Sequence, residues 1–234
     1  MESERFAEGF GAESRVCTPC RRVPPAFRRA VAYGVYQDEL REMLHLLKYE
    51  RVRSLARPLG VMLASAVELL GEEISAAAED LLVVAVPLFR SKERGRGFNH
   101  SELLAHAAVA QLRRSRPAWR LREAHNAIER VRETESQFGL TPQARRKNLR
   151  GAFAVGDVDA VAGRDVLLID DIYTTGATAR ACAEVLGKSG VRSVLVATLA
   201  GAQVEAVAMW DAGAERRWPA MFAGEIARET GGHS

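Results

Sequence analysis

Residues 166–178 read Val-Leu-Leu-Ile-Asp-Asp-Ile-Tyr-Thr-Thr-Gly-Ala-Thr: an apolar run passes into two carboxylates, a turn rich in hydroxyls and glycine, and a helix. Val166 to Ile169 has strand length, branched side chains and no alternation, which suits a parallel strand covered on both faces. Ligands of open α/β sheets bind in the crevice at the carboxyl ends of the strands, so Asp170 and Asp171 are expected to point into it. Beyond Thr178, Ala181 with Val185 and Cys182 with Leu186 recur at four-residue spacing, and Gly187 and Gly190 stop the helix. The start of that helix offers unpaired N–H groups and the positive end of its dipole, while Thr174, Thr175, Gly176, Ala177 and Thr178 supply hydroxyls and close backbone approach. This is a cradle for phosphate. It has no lysine and lacks the spacing of a Walker loop, so amides and hydroxyls would do the holding. The carboxylates repel the anion itself and suit sugar hydroxyls or a magnesium ion. Without the turn, the Asp pair would equally fit another doubly wound magnesium site or a polar strand end. With it, a phosphorylated sugar fits best, and Tyr173 reads as packing or a lid contact.

Outward from this stretch, the chain carries further strands and helices. Val191 to Leu199 is the strand that follows the helix, and Phe153 with Val155 mark a strand before Val166. Leu81 to Val86 is another buried strand, ended by Pro87, which cannot donate to a ladder. A loop with Arg90, Lys92, Arg94 and Arg96 follows, then Asn99 with Glu102 as the cap and capping-box partner of a helix through Leu112. Tyr36, Leu40, Met43, Leu44 and Leu47 fall at helical spacing, as do Leu55, Leu59, Met62, Leu63, Ala66 and Leu70, giving two helices joined near Lys48 and Tyr49. Strands alternating with helices predict an α/β class with a mostly parallel sheet.

A chain of 234 residues can bury roughly 70 to 75 per cent of its unfolded surface, so its core needs no disulfide. No apolar stretch is long enough to span a bilayer. Glu2, Glu4 and Glu8 without an apolar core argue against a signal peptide, and the expected location is cytoplasmic. The net charge of +3 is small, but arginines cluster at Arg21-Arg22 with Arg28-Arg29, at Arg113-Arg114 through Arg122, and at Arg145-Arg146-Lys147. The first two clusters read as solvated surface rather than a nucleic-acid face. The third lies in a polar, weakly periodic segment between Glu129 and Asn148 and reads as functional rather than solvated surface.

The Asp170-Asp171 pair followed by Thr174-Thr175-Gly176-Ala177-Thr178 resembles the phosphoribosyl pyrophosphate (PRPP) motif of type I phosphoribosyltransferases. Val86-Pro87-Leu88 with Arg96-Gly97-Phe98-Asn99, and Gln137, Arg145 and Asn148 before Gly151-Ala152-Phe153, narrow the resemblance to the ComF/GntX family. Its members are similar to amidophosphoribosyltransferases and are linked in some bacteria to DNA uptake. The resemblance covers residues 17–200, with two departures: Phe89 stands where a histidine is usual, and His100 where a glutamine is usual.

The resemblance implies a type I phosphoribosyltransferase fold, a central sheet flanked by helices with a small N-terminal hood. Residues 1–32 would be an N-terminal segment, 33–201 the phosphoribosyltransferase domain, and 202–234 an extension, partly disordered. It implies transfer of the phosphoribosyl group from PRPP, with magnesium carried on the substrate, to an unidentified acceptor. Asp170 and Asp171 would hold the ribose hydroxyls and steady the charge at the anomeric carbon, and the Thr174–Thr178 turn would bind the 5′-phosphate. Arg90, Lys92, Arg94 and Arg96, with Arg145 from a mobile lid formed by the segment between Glu129 and Asn148, would neutralise the pyrophosphate, and Lys48 and Tyr49 of the hood would meet the acceptor. Cys17-Thr18-Pro19-Cys20 resembles half of the family's zinc ribbon. Structural zinc wants four ligands and residues 1–16 contain no Cys or His, so free thiols are expected rather than zinc. Two other classes remain: a non-catalytic module that binds PRPP or a nucleotide, serving as a sensor or a partner of DNA-uptake machinery, and a nucleic-acid binder using the arginine clusters.

Overall fold

A computed structural model describes residues 24–77, 80–134 and 141–201. Cys17, Cys20, Gln137 and the 202–234 extension lie outside them. Five strands form the main sheet: β1 (Arg29–Val35), β2 (Leu81–Ala85), β3 (Leu121–Glu123), β6 (Asp165–Tyr173) and β7 (Ser193–Gly201). Their order is β1-β7-β6-β2-β3 and every pairing is parallel. The α/β class therefore stands, with β6 in the centre. β1 begins at Arg29 and crosses the position between residues 32 and 33 at which the segment and the domain were divided.

Parallel strands need covers on both faces, and the side chains divide accordingly. Val83, Ala85, Leu167, Ile169, Leu195 and Ala197 face one helical layer, built by α2 (Ala56–Glu68) and α5 (His100–Ser115). Leu82, Val84, Val166, Leu168, Val194 and Val196 face the other, built by α8 (Ala177–Lys188). Helices α2 and α5 pack very closely at Gly60. A Cβ there would run into Ala107, whose carbonyl carbon lies 2.9 Å from it, so glycine is what permits the approach. Each fully buried leucine of these layers, such as Leu59, Leu63 or Leu104, contributes about 1.5–3 kcal/mol by leaving water.

One local reading needs correction and two gain detail. Phe153–Val155 is a strand as expected, β5, and it pairs antiparallel with β4 (Ile128–Arg130) in a separate two-stranded sheet. The stretch Arg90–Arg96, expected as a loop, is a short helix, α4, with Gly97 in the left-handed region (φ 80°) ending it. Its run of long side chains is helix-compatible, and only glycine closes it at no steric cost. Part of the expected lid is also helical: α6 spans Pro142–Leu149, with Thr141 accepting from the Ala144 N–H as its cap. The remaining helices, α1 (Asp38–His45), α3 (Gly71–Ser75) and α7 (Val158–Val161), line the periphery.

The stretch between α1 and α2 prepares the site. α1 widens into a π-turn, Leu46–Glu50, closed by Arg51 at φ 61°, and a 3₁₀ turn at Arg53–Leu55 leads into α2. The extra residue in a π-turn re-aims the side chains it carries. Here it carries Lys48 and Tyr49, buries the leucine between its flanks, Leu47, and leaves Tyr49 62% exposed. Arg51 donates to the Gly95 carbonyl at 2.6 Å and Arg53 to that of Gly97 at 3.2 Å, tying this turn to α4. Among the described residues no helix is long and apolar enough to cross a membrane.

Candidate functional site

The site begins where β2 stops. β6 pairs with β2 only as far as Ile169 opposite Ala85, but it continues beside β7 to Tyr173 opposite Gly201. The carboxylates thus lie within the strand, on the stretch that has lost one neighbour. Pro87 prevents β2 from continuing the ladder. The vacated edge is taken by the start of α5, where Asn99 caps the helix through the Ser101 N–H (3.1 Å) and donates its amide to the Val86 carbonyl (3.2 Å). Asn99 is therefore structural. Glu102 is exposed and the cap does not depend on it.

Strand alternation sends the two carboxylates to different surroundings. Asp170 accepts from the Ser101 hydroxyl at 3.2 Å and from the Asp171 N–H at 3.0 Å. Burial pushes its carboxyl up to about 6, with Lys48, the Ser101 hydroxyl and Arg130 pulling the other way. Asp171 is buried and pairs with the Lys48 ammonium, while His100 Nε2 stands 3.7 Å from its other oxygen. Burial also pulls Lys48 down to about 8; Asp170 opposes this and Arg96 reinforces it. His100 lies well below the usual imidazole range because it is buried, and because Lys48 and Arg96 repel a second charge. At neutral pH Asp170 and Lys48 both remain charged, while His100 is a neutral imidazole.

His100, Asp170 and Asp171 bring potential ligand atoms within 4.8 Å of one another. The Arg96 guanidinium, which can only donate, lies 3.1 Å from His100 Nδ1, so the ring's lone pair faces Arg96 and its N–H faces the carboxylates. The cluster therefore presents oxygen alone. Oxygen suits a magnesium ion arriving on a phosphate ligand better than a resident transition metal.

The glycine turn expected to hold phosphate follows at once. Gly176 caps α8 at φ 69°, and a Cβ there would collide with the Tyr173 ring and hydroxyl. The tight turn requires glycine on both counts. Tyr173 also packs edge-on against Phe27, at 6.4 Å between centroids, and so is a packing residue of the turn. The Thr175 hydroxyl is buried with no hydrogen-bond partner among the described residues. Arg145 donates to the Thr174 hydroxyl at 2.9 Å, which brings α6 onto the turn. Asp170, Thr174, Gly176 and Thr178 line one common cavity.

Several expected residues are thus brought together: Asp170, Asp171, Thr174, Thr175, Gly176, Ala177, Thr178, Arg145 and Lys48. Lys48 was expected to meet an acceptor, and in the structure it meets Asp171. Of the α4 cations, Arg96 reaches the cluster through His100, while Arg90 and Arg94 are exposed on the same helix as Lys92. Tyr49 turns outward beneath the Arg96 guanidinium, 5.2 Å from its ring centre, and against His45. Sequence reasoning missed Ser101 and Arg130. Ser101 was hidden inside a helix start. Arg130 sits over Phe153 at 5.4 Å, close enough to act electrostatically on Asp170, and no motif marks it.

No protein-family model matches the chain. It is similar to the DNA utilization protein YhgH of Salmonella typhi, with 31% identity over 186 residues, 80% of this chain and 78% of that one. It is also similar to competence protein F of Haemophilus influenzae, with 30% identity over 191 residues and the same two coverages. Among solved structures, a hypoxanthine phosphoribosyltransferase from Staphylococcus aureus matches 65% of this chain and 64% of that one, at 17% identity and TM-score 0.36. The enzyme from Trypanosoma cruzi matches 69% and 70%, at 15% identity and TM-score 0.36, and overlaps this loose bear no weight on function. At this level of sequence identity and coverage by YhgH and competence protein F, the chain belongs to their family, the ComF family.

Proposed function

We propose that the protein binds PRPP with its magnesium and transfers the phosphoribosyl group to an acceptor, releasing pyrophosphate. The observation that carries this reading is the pairing of a buried Thr175 hydroxyl, without a hydrogen-bond partner among the described residues, in a glycine-capped helix start with two carboxylates on the strand before it. The first half suits a phosphate monoester and the second a ribose. In the reaction a nucleophile bonds to the anomeric carbon while the bond from that carbon to the pyrophosphate oxygen breaks, and the electron pair leaves with the pyrophosphate. Asp170, ionised above its raised pKa, would accept from a ribose hydroxyl and oppose the positive charge at the ring. The turn would hold the 5′-phosphate so that the ribose cannot drift. Arg96, Arg90, Lys92 and Arg94 of α4, with Arg145, would meet the diphosphate, whose magnesium neutralises the leaving charge. Names such as DNA utilization protein and competence protein support a role near DNA uptake, which we extend to this chain as part of the proposal.

Calorimetric titration with PRPP, with and without magnesium, tests the site. Magnesium-dependent binding that disappears in Asp170→Ala/Asp171→Ala is the expected result. A folded wild-type protein that ignores PRPP would remove the proposal. A second reading, a sensor that binds the same ligand without turnover, is favoured by the commitment of Asp171 to Lys48. Pyrophosphate release with ammonia, nucleobases or water as acceptor separates the two.

A further inference from the structure

We propose that His100 is a positioning residue: a neutral imidazole that takes a hydrogen bond from Arg96 on one side and orients the Asp171 carboxylate with its Nε2–H on the other. The inference rests on the PRPP reading of the site for its functional consequence, and on geometry for its physical content. His100 is 4% exposed, at the first position of α5, between the basic helix α4 and the end of β6. Arg96 Nη1 lies 3.1 Å from Nδ1. A guanidinium has five N–H groups and no acceptor, so this contact exists only if Nδ1 presents its lone pair. A neutral ring then carries its proton on Nε2, the atom that faces Asp171 Oδ1 at 3.7 Å.

The groups packed around the ring agree with a neutral donor. Lys48 pairs with the second oxygen of Asp171, Arg96 stands at the far side of the ring, and Asp170 is engaged by Ser101. Two cations already flank the imidazole, so a third positive charge there would be repelled. Lys48 holds one oxygen of Asp171, and Nε2–H stands 3.7 Å from the other, outside hydrogen-bond distance but turned toward it. When a ribose hydroxyl displaces Lys48, a small shift of the carboxylate closes that gap, and Nε2–H is then the group that keeps it from rotating. Arg96 belongs to the helix that would meet the diphosphate, so the relay ties the diphosphate end of the ligand to the ribose end.

Glutamine offers one amide oxygen and one amide nitrogen at the end of its side chain. It can accept from an arginine and donate to a carboxylate as a neutral Nε2–H histidine does. Leucine has the bulk of the ring and neither function.

Long-range ¹H–¹⁵N correlation on histidine-labelled full-length protein reads the tautomer directly, and the signal missing in His100→Gln assigns it among the five histidines. The expected result is a neutral ring protonated at Nε2, with the preference weakened in Arg96→Ala. A ring protonated at Nδ1 would overturn the relay. In calorimetry with magnesium and PRPP, His100→Leu is expected to bind about tenfold more weakly, the value of one hydrogen bond to a charged group, and His100→Gln to recover most of that loss. His100→Leu that binds as tightly as wild type would also overturn it. Wild-type protein that binds no PRPP would instead sink the proposed function, and the tautomer would then decide the relay by itself.

Discussion

The two ends of β6 both carry aspartate, and they treat it differently. At the amino end, Asp165 is largely covered but pairs with a half-exposed Arg192 guanidinium, its Oδ1 accepting from Nε at 3.0 Å. At the carboxyl end, Asp170 and Asp171 stand beside a buried lysine and a buried histidine where β2 has ended. Water reaches the first pair from the Arg192 side and screens it there, and among the described residues no buried charged group stands beside it. The second group has lost most of its water, and burial has moved Asp170 and Lys48 toward neutral pH. One strand thus shows what separates a water-screened ion pair from a reactive cluster: the loss of a neighbouring strand followed by cover from a helix start.

Exchanging one oxygen for nitrogen at each end breaks the comparison most directly. Asp170→Asn is expected to weaken magnesium-dependent PRPP binding by roughly a hundredfold in calorimetry. Equal loss in Asp165→Asn would mean that the ends do not differ. Next in size is Gly176→Ala, which places a Cβ against Tyr173 and a side chain in the left-handed region. It should cost about 1–2 kcal/mol of stability and about tenfold in affinity. Adding Tyr173→Ala relieves the collision but not the backbone strain, so recovery should be partial. Arg145→Ala removes the contact that brings α6 onto the Thr174 hydroxyl and should weaken binding a few-fold.

Smaller still is the pH dependence of stability. The folded protein holds the Asp170 proton up to about pH 6, above the ordinary carboxyl value of about 3.9, so this group makes stability fall as pH rises from about 4 to 6. Lys48 acts in the opposite sense at alkaline pH. Its folded value of about 8 lies below the unfolded one, so its contribution makes stability rise with pH from about 8 to 10.5. Urea unfolding across both windows should show the acid slope flattened in Asp170→Asn and the alkaline slope flattened in Lys48→Met. Unchanged slopes would show that neither group is buried in solution as it is here. The smallest effect belongs to Asp165→Asn, which should shift unfolding by less than about 1 kcal/mol.

Much of this was readable from residue order. The apolar run of Val166 to Ile169, the glycine-bearing turn and the four-residue spacing after it place the central strand, a tight turn and α8 correctly. These are local signals, and local rules read them. What could not be read depends on where other elements stop. That β6 outlasts β2, and that Ser101 enters the gap, follows from pairing registers with no trace in either segment alone. The basic stretch at Arg90–Arg96 read as a loop because its charges dominate its composition, whereas its fold depends on long helix-forming side chains closed by Gly97. Lys48 was expected to meet an acceptor, whereas its partner in the fold, Asp171, comes from a strand far away in sequence.

Cys182 gives the phosphate turn a built-in clock. Its thiol is fully buried on α8, beneath the same strand that carries Asp170, and burial pushes it well above its ordinary value. A thiol reagent can reach it only while α8 parts from the sheet, so in protein whose Cys17 and Cys20 are replaced by serine the labelling rate counts those partings. A ligand that bridges the helix start and the strand end should slow that clock in proportion to its occupancy, whether or not it reacts.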